Sequence, residues 1–306
     1  MDSHISVTDG RVERRILVSG DVWRLALTSI KATWKQSGLL VCFGLIAPQL
    51  ALNLWLDHTS FPVVDELRAL FTSKGGTSGS PLMFSELIRP AAQYFWRIGP
   101  AVVIATLICL ASYLGLIQTS VDYLRNQSPR GATAAWLQGL KRALVAIISM
   151  FLLAFFVTAA GQIVMVPAIL IGVLGLMIPT ILICEGKGMI YALRSALLLR
   201  YVRGTKISGW SVIFNMMSIG AFLYGTMAAV GLSAELLLGL DEVIGLPSLI
   251  WIASTPGSPT TSIIYIAVSN LETIMSMAFL SVLPSLTTSL YVIVRRDDAG
   301  RTIAQA

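Results

Sequence analysis

The chain has 306 residues, 55% of them hydrophobic and only 12% charged, with a formal net charge of +6 and a mean hydropathy of +0.77. Soluble domains usually run at about 25% charged. The composition therefore excludes an ordinary soluble globular domain and places the chain in a lipid bilayer. Three cysteines, Cys42, Cys109 and Cys184, lie inside or at the edges of apolar runs. That spacing fits neither a disulfide framework nor a zinc site, and it reads as small buried hydrophobes.

Residues 1–37 are polar or amphipathic and show no cleavable signal pattern, so the first spanning helix is expected to direct insertion. Within them Trp23, Leu27, Ile30 and Trp34 recur at i, i+4, i+7, i+11, which predicts one apolar helical face. Arg24, Lys31 and Lys35 follow the same spacing one residue on and flank that face. The first predicted span is Gly38–Leu56. The outer loop 57–97 holds a possible short helix in "VVDELRALF" and a turn-rich "TSKGGTSGS". It closes with Tyr94, Phe95 and Trp96 as an interfacial aromatic belt.

The second span is Ile98–Val121. "SPRGATAAWLQGLKRAL" then predicts a basic amphipathic helix, with Ser128 as cap, Pro129 at the first helical position, and Trp136 and Leu140 leading into Lys141 and Arg142. Ala143–Cys184 is 42 residues without a charge. As one helix it would be about 63 Å long, twice the hydrocarbon thickness. A turn at Gly161, Gln162 and Pro167 is expected to divide it into Ala143–Ala160 and Pro167–Cys184. Glu185 and Gly186 then form a turn that Gly188 keeps flexible, and Met189–Arg203 follows as a third basic amphipathic helix carrying Arg194, Arg200 and Arg203, with Glu185 paired to Lys187 or Arg194, or in water. The fifth span lies within Gly209–Leu240 and the sixth within Ser262–Val294; Ile244–Ala253 is too short to span and lies on the surface or dips back. Pro48, Asn53, Pro167, Pro179 and Pro284 are expected to break or kink spans. Ala221, Gly225, Ala229 and Ser233 put a small residue at every fourth position, which predicts close packing inside the bundle in preference to homodimerisation.

The expected fold is all-α: a polytopic bundle of six transmembrane helices with short amphipathic helices on the cytoplasmic side. The expected division is a cytoplasmic segment 1–37, a transmembrane domain 38–294 and a tail 295–306. With both termini inside, the inner segments carry 18 of the 22 Lys and Arg residues, so the positive-inside rule puts both termini in the cytoplasm.

Catalytic motifs fail. His4 and His58 have no acid or second histidine at metal-ligand spacing. No histidine lies deep in a span to serve an intramembrane nucleophile, and "SKGGTSG" lacks the order and context of a phosphate loop. No catalytic, cofactor-binding or metal residue is assigned, and no nucleic acid partner is expected. Two candidate constellations remain. The first is a polar strip of Ser269, Asn270, Glu272 and Ser276, with Thr273 beside it. Glu272 sits at the outer surface if the span is Ser276–Val294, and it lines a polar path if the helix begins near Ile263. The second is a collar for anionic lipids: Arg24, Lys31, Lys35, Lys141, Arg142, Arg194, Arg200 and Arg203.

In "MIPTILICEGKGMIYALRSALLLRYVRG", Pro179, Glu185, Gly188, Ala192, Leu193, Ser195, Arg203 and Gly204 form a pattern of proline-ended apolar helix, Glu-Gly turn and basic helix. This resembles the glycerophosphoryl diester phosphodiesterase membrane domain and related six-helix bacterial inner-membrane proteins. The resemblance implies fold and location; the phosphodiesterase domain that follows in some members has no counterpart in the 12 residues after the last span. The expected function is that of a non-enzymatic inner-membrane protein that organises or senses the bilayer or binds another membrane protein. The alternative is a small transporter or channel subunit with a polar path near Glu272. No repeat relates 1–160 to 161–306, as many transporters show.

Overall fold

A computed structural model describes residues 19–55, 81–163, 171–173, 175–198, 209–244 and 259–299. The described residues form helices joined by turns: α1 Ser19–Ala32, α2 Trp34–Trp55, α3 Pro81–Leu124, α4 Ala132–Ile163, α5 Ile178–Glu185, α6 Met189–Leu198, α7 Gly209–Ile244, α8 Pro259–Leu280 and α9 Leu283–Ala299. The chain is all-α. Five stretches are long and apolar enough to cross a membrane: Trp34–Trp55, Ile98–Leu124, Ala132–Ala159, Trp210–Ser233 and Ala267–Arg295. The apolar helix Ile171–Glu185 is shorter. Five such helices make this a membrane protein.

Several expected boundaries move. Residues 81–97, expected as loop, are the first turns of α3. Pro129 does not open a helix: α4 starts at Ala132, and Ser128 and Pro129 belong to the connection after α3. Gly161 and Gln162, expected in a turn, are still helical, since α4 runs on to Ile163; Pro167 lies outside the described residues, as do 57–80 and 245–258.

Prolines act where a lost donor predicts. Pro48 has no N–H for the Gly44 carbonyl and its ring crowds that oxygen. The preceding turn widens into a π-helical segment, Leu40–Ile46, and the Ala47 N–H reaches Cys42 O instead. Pro284 likewise cannot serve Leu280 O, and the chain turns at Ser281–Val282 between α8 and α9. The Ser281 hydroxyl caps Ala278 O there at 2.6 Å. Pro179 sits in the first turn of α5. Asn53 does not break α2; its side chain is used in a hydrogen bond described below.

The chain divides into two compact units. Unit 1 comprises Met1–Ser37, Leu114–Leu223 and Val282–Ala306. Its core holds Leu114, Ile117, Ile181, Leu182, Leu286 and Leu290, all without exposed surface. Within it α1 packs on α9, α4 on α5 and α6, and α5 on α6 and α9. The buried face of α1 is Val22, Ala26, Ser29 and Thr33, not the Trp23–Leu27–Ile30–Trp34 stripe. Small residues let α1 lie close to α9, and the stripe falls on the flank, with Leu27 and Trp34 exposed and Trp23 edge-on to Phe222 at 4.7 Å. At Gly115 the Ala135 carbonyl oxygen would lie 3.2 Å from an added Cβ, so this glycine sets the closeness of α3 and α4.

Unit 2 comprises Gly38–Tyr113 and Tyr224–Ser281. The π-helical segment of α2 packs on α8. Gly44 faces Ser112 of α3 so closely that an added Cβ would overlap the serine side chain. The Cys109 thiol points to Leu45 O at 3.7 Å. The small-residue positions of α7 do not pack as expected: Ala221, Gly225, Ala229 and Ser233 are exposed.

Candidate functional site

In unit 1, α5 stops at Glu185 because Gly186 takes φ +65°, where L side chains are strained, and its N–H returns to Leu182 O. A helix end leaves carbonyls without partners. Two arginines supply them: Arg125 Nη2 donates to Cys184 O at 3.2 Å and Arg142 Nη2 to Gly186 O at 2.9 Å. Cations at a helix C-terminus also suit its partial negative charge.

Glu185 is the wrong charge for that end of a helix. It is compensated by Arg295 of α9, whose Nη2 lies 2.6 Å from Oε1, and by the Tyr291 hydroxyl, which donates to the same oxygen. Arg295 Nε approaches the Tyr291 oxygen at 3.4 Å. The expected partners Lys187 and Arg194 are not the ones used. Lys187 instead lies over the Tyr191 ring, 4.1 Å from its centroid. Glu185 is the first residue beyond the apolar stretch. Burial alone would raise its carboxyl; hydrogen bonds from Tyr191 and Tyr291 and the Arg295 guanidinium outweigh that and hold it below the ordinary carboxylate value.

The pairs also fix helix direction. Thr180 donates to Thr287 at 2.9 Å, and one to two turns further Glu185 meets Tyr291 and Arg295, so α5 and α9 run parallel. Ser120 meets Ser285 at 2.9 Å, and Arg125 meets the end of α5, so α3 runs the same way. Three parallel helix segments therefore bring Arg125, Glu185 and Arg295 to one end as a charged cap.

Asp122, only 1% exposed, closes the α3 side. Gln118 Nε2 donates to its Oδ1 at 2.7 Å, and the Arg130 N–H and Nε approach Oδ2 at 3.4 and 3.3 Å. The carboxylate thus ties down the connection to α4. Asp122, Arg125, Tyr291 and Arg295 were not singled out from sequence. The available signals were Asp122 closing an apolar run and the i, i+4 spacing of Tyr291 and Arg295.

Of the candidate collar residues, Arg24, Lys31, Lys35, Lys141 and Arg194 are exposed, while Arg142 is half-buried on Gly186 O. Arg200, Arg203 and Gly204 lie outside the described residues. Of the family-like positions, Pro179 is buried, Gly188 is exposed in the α5–α6 connection, and Ser195 is half-buried on α6 beside the buried Ala192 and Ala196.

Unit 2 holds the other polar strip, on α8. Ser269, Asn270, Glu272, Thr273 and Ser276 are half-buried. The helix starts at Pro259, so Glu272 lies well inside it. Asn53 Nδ2 of α2 donates to Thr273 Oγ1 at 2.7 Å, Thr273 donates to Ser269 O, and Gln49 approaches Asn53 Oδ1 at 3.4 Å. Asn270 Oδ1 is buried without a donor. At about 100° per residue, Asn270 and Glu272 point about 160° apart and do not converge on one ligand. No group of three or more His, Cys, Asp and Glu side chains at metal-holding distance occurs among the described residues. No family model, curated protein or solved structure matches the chain.

Proposed function

We propose that this is a non-enzymatic, multi-pass protein of a bacterial inner membrane, with both termini cytoplasmic, that binds anionic lipid headgroups through a basic collar and thereby organises the bilayer around it. The observation that carries this is α1. Its small-residue face is buried on α9, its Leu27–Trp34 flank is exposed, and Arg24, Lys31 and Lys35 stand exposed beside that flank. A helix so divided suits the headgroup layer: apolar side in the acyl boundary, basic side toward anionic lipid. Each such cation near the surface contributes about 1 kcal/mol of attraction. The resemblance over Pro179–Gly204 supports the inner-membrane location. The test is native mass spectrometry of protein purified from membranes containing phosphatidylglycerol. Retained anionic lipid that is lost in the Arg24→Gln/Lys31→Gln/Lys35→Gln protein supports the proposal; equal retention in both contradicts it.

A second function, a small transporter or channel subunit, is favoured by two observations on apolar helices: the Asn53–Thr273 hydrogen bond and the donorless Asn270 Oδ1. Flux of small polar solutes or ions into proteoliposomes, abolished by Asn270→Leu, would establish it.

A further inference from the structure

Three apolar stretches, Ile98–Leu124, Ile171–Glu185 and Ala267–Arg295, end at the charged cap. The cap therefore lies where hydrocarbon gives way to headgroups. Arg130, Arg295, Arg125, Arg142 and Lys187 gather there, and only the first two meet a carboxylate: Arg130 meets Asp122 and Arg295 meets Glu185. Arg125 and Arg142 each donate one Nη2 to a neutral carbonyl, Cys184 O and Gly186 O. Lys187, next in the exposed turn, lies over the Tyr191 ring. Among the described residues no carboxylate lies at ion-pair distance from Arg125, Arg142 or Lys187.

Capping α5 does not need this much charge. A helix C-terminus carries only about half a negative charge. Arg125 and Arg142 are both half-buried and bind carbonyls two residues apart. Two full positive charges so placed over-compensate the helix end and repel each other, with less screening than exposed charges have. Each guanidinium has five N–H donors and uses one on its carbonyl. The carbonyl bond also fixes where each planar fork lies. Arg24, Lys31 and Lys35 differ in this respect, since they stand exposed.

The anion that a headgroup layer supplies is phosphate, and a guanidinium fork matches two of its oxygens. We propose that Arg125 and Arg142 together clasp the phosphate of one lipid headgroup at the α5–α6 turn, with Lys187 beside it. The phosphate neutralises the excess charge and ties the ends of α3 and α5 to α4. This deepens the lipid reading above to a single fixed site. It rests on that reading only in requiring that this end of unit 1 lie in a headgroup layer; it does not depend on the α1 collar or on which leaflet is involved.

The experiment titrates the full chain in detergent with phosphatidylglycerol and counts bound lipids by native mass spectrometry. Arg125→Lys/Arg142→Lys keeps both charges and an N–H for each carbonyl but loses the forks. The first lipid is expected to bind about tenfold more weakly to this variant, the equivalent of one charge-assisted hydrogen bond. In Arg24→Gln/Lys31→Gln/Lys35→Gln the first lipid is expected to bind as in wild type, so failure of the collar and failure of this site are read separately. First-lipid binding by the double-lysine variant within about twofold of wild type overturns the site. Displacement of that lipid by inorganic phosphate at the same concentration overturns the lipid as the source. A second measurement needs no variant to bind lipid. Wild-type protein with 13C-labelled arginine in phosphatidylglycerol nanodiscs is expected to show 31P dephasing of the two Cζ signals that Arg125→Lys and Arg142→Lys each remove. Undephased signals there overturn the proposal.

Discussion

Replacing Arg295 by Gln removes the cation that faces Glu185 and leaves the carboxylate at the negative end of α5. Exposed ion pairs contribute about 0–1 kcal/mol, and breaking a fully buried one costs about 3–5 kcal/mol. Here the side chains are 14% exposed for Glu185 and 28% for Arg295, and the tyrosine hydroxyl remains. The expected loss therefore lies between those limits, at about 2 kcal/mol, or about 30-fold in the folded-to-unfolded ratio. Glu185→Gln alone removes the charge but keeps an acceptor for Tyr291, so it costs less. The assay is unfolding in mixed micelles for wild type, Glu185→Gln, Arg295→Gln and the double variant. The pair predicts a coupling energy of about 1–2 kcal/mol. Additivity within about 0.5 kcal/mol refutes the cap as an energetic unit.

The same pair has a pH signature. The folded-state carboxyl of Glu185 is lowered, so its contribution is fully present above the unfolded value of about 4.3 and is lost as pH falls through the folded value. Acidification below about pH 4.3 therefore lowers wild-type stability more than that of Glu185→Gln. Parallel curves for the two proteins contradict this.

Other substitutions probe other joints. Gly186→Ala forces an L side chain into the left-handed region and should cost about 1–2 kcal/mol, read as a lower thermal midpoint. Gly115→Ala presses on the backbone of Ala135 and Trp136, and should cost about 1–3 kcal/mol by the same measurement. Asn53→Leu with Thr273→Val should show a coupling of about 0.6 kcal/mol, the usual size for a hydrogen bond between membrane helices. Asp122→Ala leaves Gln118 and the Arg130 N–H without their acceptor, and proteolysis in the 125–131 connection should rise.

The all-α, membrane-spanning character was legible in composition and run length, because lipid permits few alternatives for a backbone whose polar groups must be satisfied internally. The breaks at Pro48 and Pro284 were legible for the same reason: a missing N–H has a local effect. What packs against what was not legible. The aromatic stripe of α1 has the stronger apolar periodicity, yet Val22, Ala26, Ser29 and Thr33 are the packed face. In a bilayer, apolarity does not distinguish a lipid-facing side from a protein-facing one, and small size does. Small size alone does not decide it either: the stripe Ala221, Gly225, Ala229 and Ser233 on α7 is small and exposed. Glu185 was visible as an odd acid, but its partner lies 110 residues away in the chain. Spacing along one helix cannot find such a pair, nor that Asp122 is more deeply buried than Glu272.

The collar proposal stands on which side of the membrane the basic residues occupy. The direct measurement is a pair of reporters fused after Ala306, one active only in the cytoplasm and one active only outside it. The account predicts a fluorescent cytoplasmic reporter and an inactive external phosphatase. An active phosphatase at that position would put α9, the charged cap and the basic collar on the outer face, and contradict it.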